Sequence, residues 1–228
     1  MAPGPVRVIT PAASTDTSDT PLSAVMVCGA GPTALIGSER FALHLARGLA
    51  ACGVRITLVL QTPASLDPLD VADCTVGEMP ALDAATLRSA LPAPDVVAAV
   101  DLVWAGAAQA AHDVARQWQV PLAVVPASAQ DAWLDHQASL TVAAQAQRVL
   151  VVTKAEGRAL VRRGVDTARL RVIGYGAYPT PRSPRAVVDG LAASEYVLFL
   201  GRKRRDKGYR ELLEAAPIVW ATRPGTRF

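Results

Sequence analysis

The sequence predicts an α/β fold built on a parallel sheet covered on both faces. Two observations carry that reading. Short, mainly apolar runs at 24–28, 95–101, 121–125, 148–152 and 197–200, the last of them unbroken, have the length and composition of strands in a buried sheet. Between them lie stretches with helical spacing, and regular strand–helix alternation specifies parallel pairing. The apolar fraction of 51% over 228 residues is enough for a sizeable core, in one large domain or one and a half ordinary ones.

Taken in order, residues 1–22 are rich in Pro, Ser, Thr and Ala, lack the apolar segment of a signal peptide, and read as a disordered leader. Order begins with the strand 24–28, which runs into Gly29-Ala30-Gly31-Pro32-Thr33-Ala34. That string matches G-x-G-x-x-A and invites a flavin or nicotinamide reading. The fingerprint needs a helix starting at the glycines and an acid ending the next strand. Here Pro32 and the cluster Gly37-Ser38-Glu39 delay the helix to about Ser38, and the strand 54–61 ends in Gln61. The competing reading makes 29–37 a loop and Ser38 the N-cap of a helix to Ala51, with Phe41, Leu45 and Leu49 facing the sheet and Gly53 stopping it.

Further on, 71–76 reads as a short strand and 82–91 as a helix opened by Asp83. The strand 95–101, the Ala-rich helix 104–118 and the strand 121–125 follow. After the strand 148–152, Thr153-Lys154-Ala155-Glu156 forms a capping box for a helix that Gly164 ends. The strand 171–173 closes this part. PTPRSPR at 179–185 is a stiff, solvated connector, and the domain boundary is expected there.

Residues 196–216, YVLFLGRKRRDKGYRELLEAA, form one β-loop-α unit. The run 197–200 is the strand, and Tyr209, Leu212, Leu213, Ala216 and Trp220 recur at helical spacing. The intervening loop lies at the carboxyl end of its strand, where open α/β sheets bind ligands, and the helix directs free N–H groups at it. Arg202 and Lys207 bracket an anion there, Arg through a bidentate grip and Lys as a point charge.

The formal charge is only +3, much of it in this loop, and aromatic residues make up 5%. Both argue for a local anion site and against a nucleic-acid partner. The longest nearly apolar region, 96–111, is interrupted by Asp101 and too short to span a bilayer, so a soluble chain is expected, with peripheral membrane contact left open. Cys28, Cys52 and Cys74 are odd in number and show no C-x-x-C spacing, as in reduced cytoplasmic proteins. His44 and His112 read as packed or surface residues. No metal spacing, Ser-His-Asp set or close carboxylate pair stands out, so no metal is expected and the catalytic residues stay unassigned.

Gly201-Arg202, a basic spacer, Lys207-Gly208 and Leu212-Leu213-Glu214-Ala215 resemble the G-R-(x)n-K-G-x-x-x-L-L-x-A signature of family 4 glycosyltransferases. GSERFALHLARGLAACGVRITLV resembles that family's first unit, with Ser38 in place of the usual second glycine and Val54 in place of a His. RVLVVTKAEGRALVRRGVDTARLRVIGYGAYP resembles the segment closing its N-terminal domain, with Tyr175-Gly176-Ala177-Tyr178 where the family has Asn-Gly-Val-Asp. Gly176 is expected to supply the positive φ of that turn. Where the family often carries a His after a strand ending in Pro, Ala129 stands here.

The resemblance, over about 24–228, implies the GT-B fold of two Rossmann-like domains and a retaining transferase of the hexosyl type using a nucleotide-diphosphate sugar. It implies no cofactor beyond that donor, and an acceptor (glycan, lipid or small molecule) that the sequence does not identify. Within it Arg202 and Lys207 hold the donor diphosphate, while Gly37, Ser38 and Glu39 lie in the Gly-rich loop near donor and acceptor. The expected organisation is a leader (1–22), an N-terminal acceptor-side domain (23–178), a linker (179–195) and an incomplete nucleotide-sugar-binding domain (196–228). One strand with one helix cannot stand alone, so either the chain is truncated or the unit docks unusually. Two alternatives to a working transferase are carried: an inactive remnant of one, motivated by Ala129, and an FAD- or NAD-binding oxidoreductase.

Overall fold

In the computed structural model of the protein, residues 7–9, 21–29, 37–61, 75–79, 82–128, 130, 133–176, 196–201, 203 and 205–228 are described. The chain divides into two compact units, Met1–Tyr178 and Pro179–Phe228.

The first unit is one eight-stranded sheet in the order β1-β4-β3-β2-β5-β6-β7-β8. Its strands are β1 (Arg7–Ile9), β2 (Ser23–Cys28), β3 (Arg55–Leu60), β4 (Thr75–Glu78), β5 (Val96–Val100), β6 (Leu122–Val125), β7 (Arg148–Val151) and β8 (Leu170–Val172). β1 pairs antiparallel with β4 and every other pair is parallel. This is the expected Rossmann-like α/β arrangement. From β2 the chain steps outward through β3 and β4, then returns to β5 on the other side of β2, so the topological switch lies between β2 and β5.

The helices are α1 (Gly37–Ala51), α2 (Ala84–Ala90), α3 (Ala105–Trp118), α4 (His136–Gln145) and α5 (Lys154–Val161). Alternation along β2 divides the core between the two faces. Ala24, Met26 and Cys28 pack with Ala42, Leu43 and Ala46 of α1. Val25 and Val27 pack on the opposite side, with the alanines of α3, Val142 of α4 and Leu160 of α5. Both faces are therefore buried, which is why these strands read as continuous apolar runs.

Local signals act largely as expected. Asp83 caps α2 by accepting from the Thr86 N–H at 2.7 Å. Thr153 Oγ1 accepts from the Glu156 N–H at 3.1 Å, while the Glu156 carboxylate reaches back to the Val152 N–H at 2.7 Å. The capping box is thus present with its return arm extended by one residue. Gly53 and Gly164, at φ 85° and 96°, follow α1 and α5.

Several expectations are corrected. Part of the supposed leader, Arg7–Ile9, is a strand, because the open edge of β4 offers unpaired backbone groups to a β-favouring segment. The strand expected at 71–76 is Thr75–Glu78; residues 71–74 lie outside the described set. α1 begins at Gly37, so Ser38 is in its first turn and does not precede it as a cap. The buried row of α1 is Glu39, Ala42, Leu43 and Ala46, with Phe41, Leu45 and Leu49 only half-buried beside it. The positive φ near the end of the unit belongs to Gly174, at 77°, and not to Gly176.

The second unit contains a 3-10 turn, Arg205–Lys207, leading into α6 (Tyr209–Thr222). Residues 197–200 do not form the expected buried strand. One parallel bridge joins Tyr196 to Arg227, with the Val197 N–H donating to the Arg227 carbonyl at 2.8 Å. A single bridge cannot sustain a ladder, and Leu198 and Leu200 are 71% and 91% exposed. Trp220 donates from Nε1 to the Thr226 carbonyl at 2.7 Å and meets Phe228 edge-on, closing the end of α6.

Candidate functional site at the carboxyl edge of the sheet

In an open parallel sheet, strand carboxyl ends at the switch point form the natural ligand crevice. In the first unit that edge is made by Cys28-Gly29 after β2, the first turn of α1, Asp101–Trp104 after β5, and Pro126-Ala127-Ser128 after β6.

Gly29 is where the chain leaves β2, and it lies against the start of α3. A Cβ placed on it would stand 2.5 Å from Trp104 Cβ and 3.0 Å from Ala107 Cβ. Close packing accounts for the glycine without a nucleotide. Consistent with that, the helix begins at Gly37, well past the G-x-G-x-x-A string, whose residues 30–34 lie outside the described set.

Asp101 organises the next two loops. It is 2% exposed, and its backbone is left-handed at φ 68°. Its Oδ1 accepts from the Val103 N–H at 3.0 Å and from Ser128 Oγ at 2.9 Å. The Asp101 and Leu102 N–H groups donate to the Val125 and Pro126 carbonyls at 2.9 and 3.2 Å, prolonging the β5–β6 pairing past the strands. Ala127, at the neighbouring strand end after β6, is also left-handed at φ 55°. For an alanine that conformation costs roughly 1–2 kcal/mol, and the next residue, Ser128, is tied to Asp101 across the two loops. Sparsely populated backbone held by a buried charge marks a place where geometry, and not only stability, is specified.

Glu39 sits in the first turn of α1 and is completely buried. Ser38 Oγ lies 3.3 Å from its Oε2. Burial pushes the Cys28 thiol well above its usual range, and the negative charges of Asp101 and then Glu39 push it the same way. Both carboxylates therefore direct their field at the end of β2. Cys28 is a free thiol that stays protonated, a packed residue and not a nucleophile.

Of the residues singled out by sequence, Gly37, Ser38 and Glu39 share one helical turn at this edge, with Gly37 exposed and, among the described residues beyond its own turn and chain neighbours, no atom within 4 Å of where its Cβ would stand. Lys207 lies in the second unit, exposed, next to Gly208 at φ 76°, from which α6 starts. Arg202 and Ala129 lie outside the described residues. His112 is packed, its Nδ1 3.1 Å from Asp113 Oδ1. Sequence reading missed Asp101 and Ser128. The available signal was an acid placed directly at the end of an apolar strand. Among the described residues no cluster has a metal-binding composition, and no helix is long and apolar enough to cross a membrane.

A family model described as a glycosyl transferase 4-like domain matches residues 37–176, more than half of the chain. The chain belongs to this family. Its match spans α1 to the end of β8 and so takes in the whole switch-point edge from Gly37 onward. Among solved structures, Anabaena Alr3699/HepE in complex with UDP and glucose is similar at TM-score 0.51 and 12% identity, over 68% of this chain and 45% of that one. HepE in complex with UDP-glucose gives the same score and identity. A putative UDP-N-acetylglucosamine 2-epimerase from Listeria monocytogenes is similar at TM-score 0.56 and 16% identity, over 91% of this chain and 61% of that one. These likenesses are of fold, the Rossmann-like α/β architecture of GT-B proteins. The chain spans less than half the length of the HepE structures. No curated protein is significantly similar in sequence.

Proposed function

We propose that the protein is a retaining glycosyltransferase of the hexosyl type that takes its sugar from a nucleotide-diphosphate donor. The observation that carries this reading is the family match over 37–176, which falls on the sheet edge just described. The UDP and UDP-glucose complexes of the structurally similar HepE support a nucleotide sugar as the donor class.

In this reading Arg202 and Lys207 hold the donor diphosphate. As the bond from the anomeric carbon to the phosphate oxygen lengthens, negative charge gathers on the leaving group, and two fixed cations stabilise that charge more than they stabilise the bound ground state. The exposed position of Lys207 at the entry to α6 supports the role, because free N–H groups of the first helical turn add to the positive potential. Gly37 and Ser38 give the donor and acceptor a close backbone approach at the start of α1, and Glu39 shapes that turn from beneath. No cofactor is assigned beyond the donor. The acceptor is a glycan, a lipid or a small molecule, and a lipid acceptor would involve peripheral membrane contact. The free thiols of Cys28 and Cys52 support a cytoplasmic location.

A second reading, a family member that binds donor without transferring it, is favoured by Ala129 at the position where the family often has His. Isothermal titration against nucleotide sugars, with parallel measurement of nucleoside diphosphate release, separates the two. Binding with release supports the transferase, binding without release supports the second reading, and absence of binding across uridine, guanosine and adenosine diphosphate sugars overturns both.

A further inference from the structure

We propose that Asp101 is a positioning residue of this edge: through a single carboxylate oxygen it locks the loops that follow β5 and β6 into the geometry on which a bound ligand rests. The inference relies on the reading above that these strand ends receive a nucleotide sugar, and it goes beyond that reading in naming the residue that sets their shape.

Val103 N–H and Ser128 Oγ approach the same Oδ1 at 3.0 and 2.9 Å, one from the residue's own loop and one from a residue 27 positions on. Ser128 carries one hydroxyl proton, and its second candidate acceptor, the Pro126 carbonyl, is more distant at 3.2 Å. The carboxylate therefore takes that proton and leaves the hydroxyl lone pairs able to receive a donor. Both loops turn through left-handed non-glycine residues, Asp101 and Ala127. Neither conformation is one the isolated segment prefers, so the cross-loop contact selects it. A residue needed only to fill space here would be apolar, since a buried carboxylate is costly unless fully hydrogen-bonded.

Three variants of the full 228-residue chain test the role. Asp101→Ala removes both contacts, Ser128→Ala only the cross-loop one, and Asp101→Asn keeps a carbonyl oxygen able to accept both. Amide hydrogen exchange is followed by mass spectrometry on peptides covering 101–104 and 126–128, and UDP-glucose binding by titration calorimetry. The expected result is roughly tenfold faster exchange in both loops for Asp101→Ala and Ser128→Ala, unchanged exchange in β2 and β5, and near-parental exchange in Asp101→Asn. Affinity for UDP-glucose should fall about tenfold or more in Asp101→Ala and recover within about threefold in Asp101→Asn. Unaltered exchange at 126–128 overturns the locking. Loosened loops with unaltered affinity overturn the positioning role. A parental chain that binds no nucleotide sugar, with exchange as expected, instead removes the functional reading while the locking itself is upheld.

Discussion

Gly29→Ala separates a packing role from a ligand-binding one at the first glycine of the chain's most conspicuous string. The added methyl would stand 2.5 Å from Trp104 Cβ, 2.9 Å from Trp104 Cγ and 3.0 Å from Ala107 Cβ. Carbon atoms in contact sit at about 3.5–4.0 Å, so a shift of the order of 1 Å is required. The nearest atom is a Cβ, tied to the backbone at the N-cap of α3, and Ala107, Ala108, Ala110 and Ala111 press that helix onto the sheet. No flexible chain end can yield. Overpacking of this kind costs about 1–3 kcal/mol. For a chain of this length each kcal/mol lowers Tm by roughly 2–4 °C, so a loss of about 4–8 °C is expected at the midpoint of that range. Thermal and urea denaturation followed by tryptophan fluorescence measure it, with an unchanged m-value confirming a change in native stability. A Tm within about 1 °C of the parent would refute the packing argument. It would also return Gly29 to the role of a glycine that admits a ligand.

Gly37→Ala should behave in the opposite way. Among the described residues its Cβ meets no neighbour at the start of α1, so stability should hold or rise by up to about 1 kcal/mol, while nucleotide-sugar binding by calorimetry weakens about tenfold; retained affinity would remove Gly37 from the site. Lys207→Ala and Arg202→Ala should each lower turnover about a hundredfold, the effect of losing one fixed transition-state donor at about 3 kcal/mol. Because Lys207 is exposed, its variant should melt with the parent, and unchanged nucleoside diphosphate release would reject the cation role. Asp95 accepts from Ser23 Oγ and N–H, both at 2.7 Å, and these bonds hold its carboxyl below the ordinary 3.8. A lowered folded pKa gives stability that is present above the unfolded value and lost as pH falls through the folded one. The stability gap between the parent and Asp95→Asn should therefore close between about pH 5 and pH 2 in urea titrations, and a pH-independent gap would contradict the assignment.

The parallel sheet was legible because burial on both faces leaves a direct trace in composition. Val25 and Val27 point to one layer and Met26 and Cys28 to the other, so neither alternate position can be polar. Caps were legible for a similar reason, since Asp83 and Thr153 act within one turn of themselves. Elements whose existence depends on a distant partner were not. β1 forms from an unremarkable Arg-Val-Ile because β4 has an open edge, and the more strand-like VLFL at 197–200 forms no ladder because its unit offers Arg227 alone as a backbone partner among the described residues. Propensity proposes a strand; pairing decides it.

The same distinction explains what was missed at the candidate site. The turn Gly37-Ser38-Glu39 stood out because its glycine and its acid are neighbours in sequence, yet beginning the helix at Gly37 sets a phase that carries Glu39 inward with Ala42, Leu43 and Ala46, beneath the edge it was expected to line. Asp101 showed only as a charge interrupting an apolar stretch. Its partner Ser128 lies beyond a whole helix and a strand, and only the parallel pairing of β5 with β6 brings the two strand ends side by side. In an α/β sheet, chemistry assembled at one edge comes from residues separated by the length of a βαβ unit. Motif reading, which works over a few residues, therefore finds each contributor singly and the constellation only when the strand order is known.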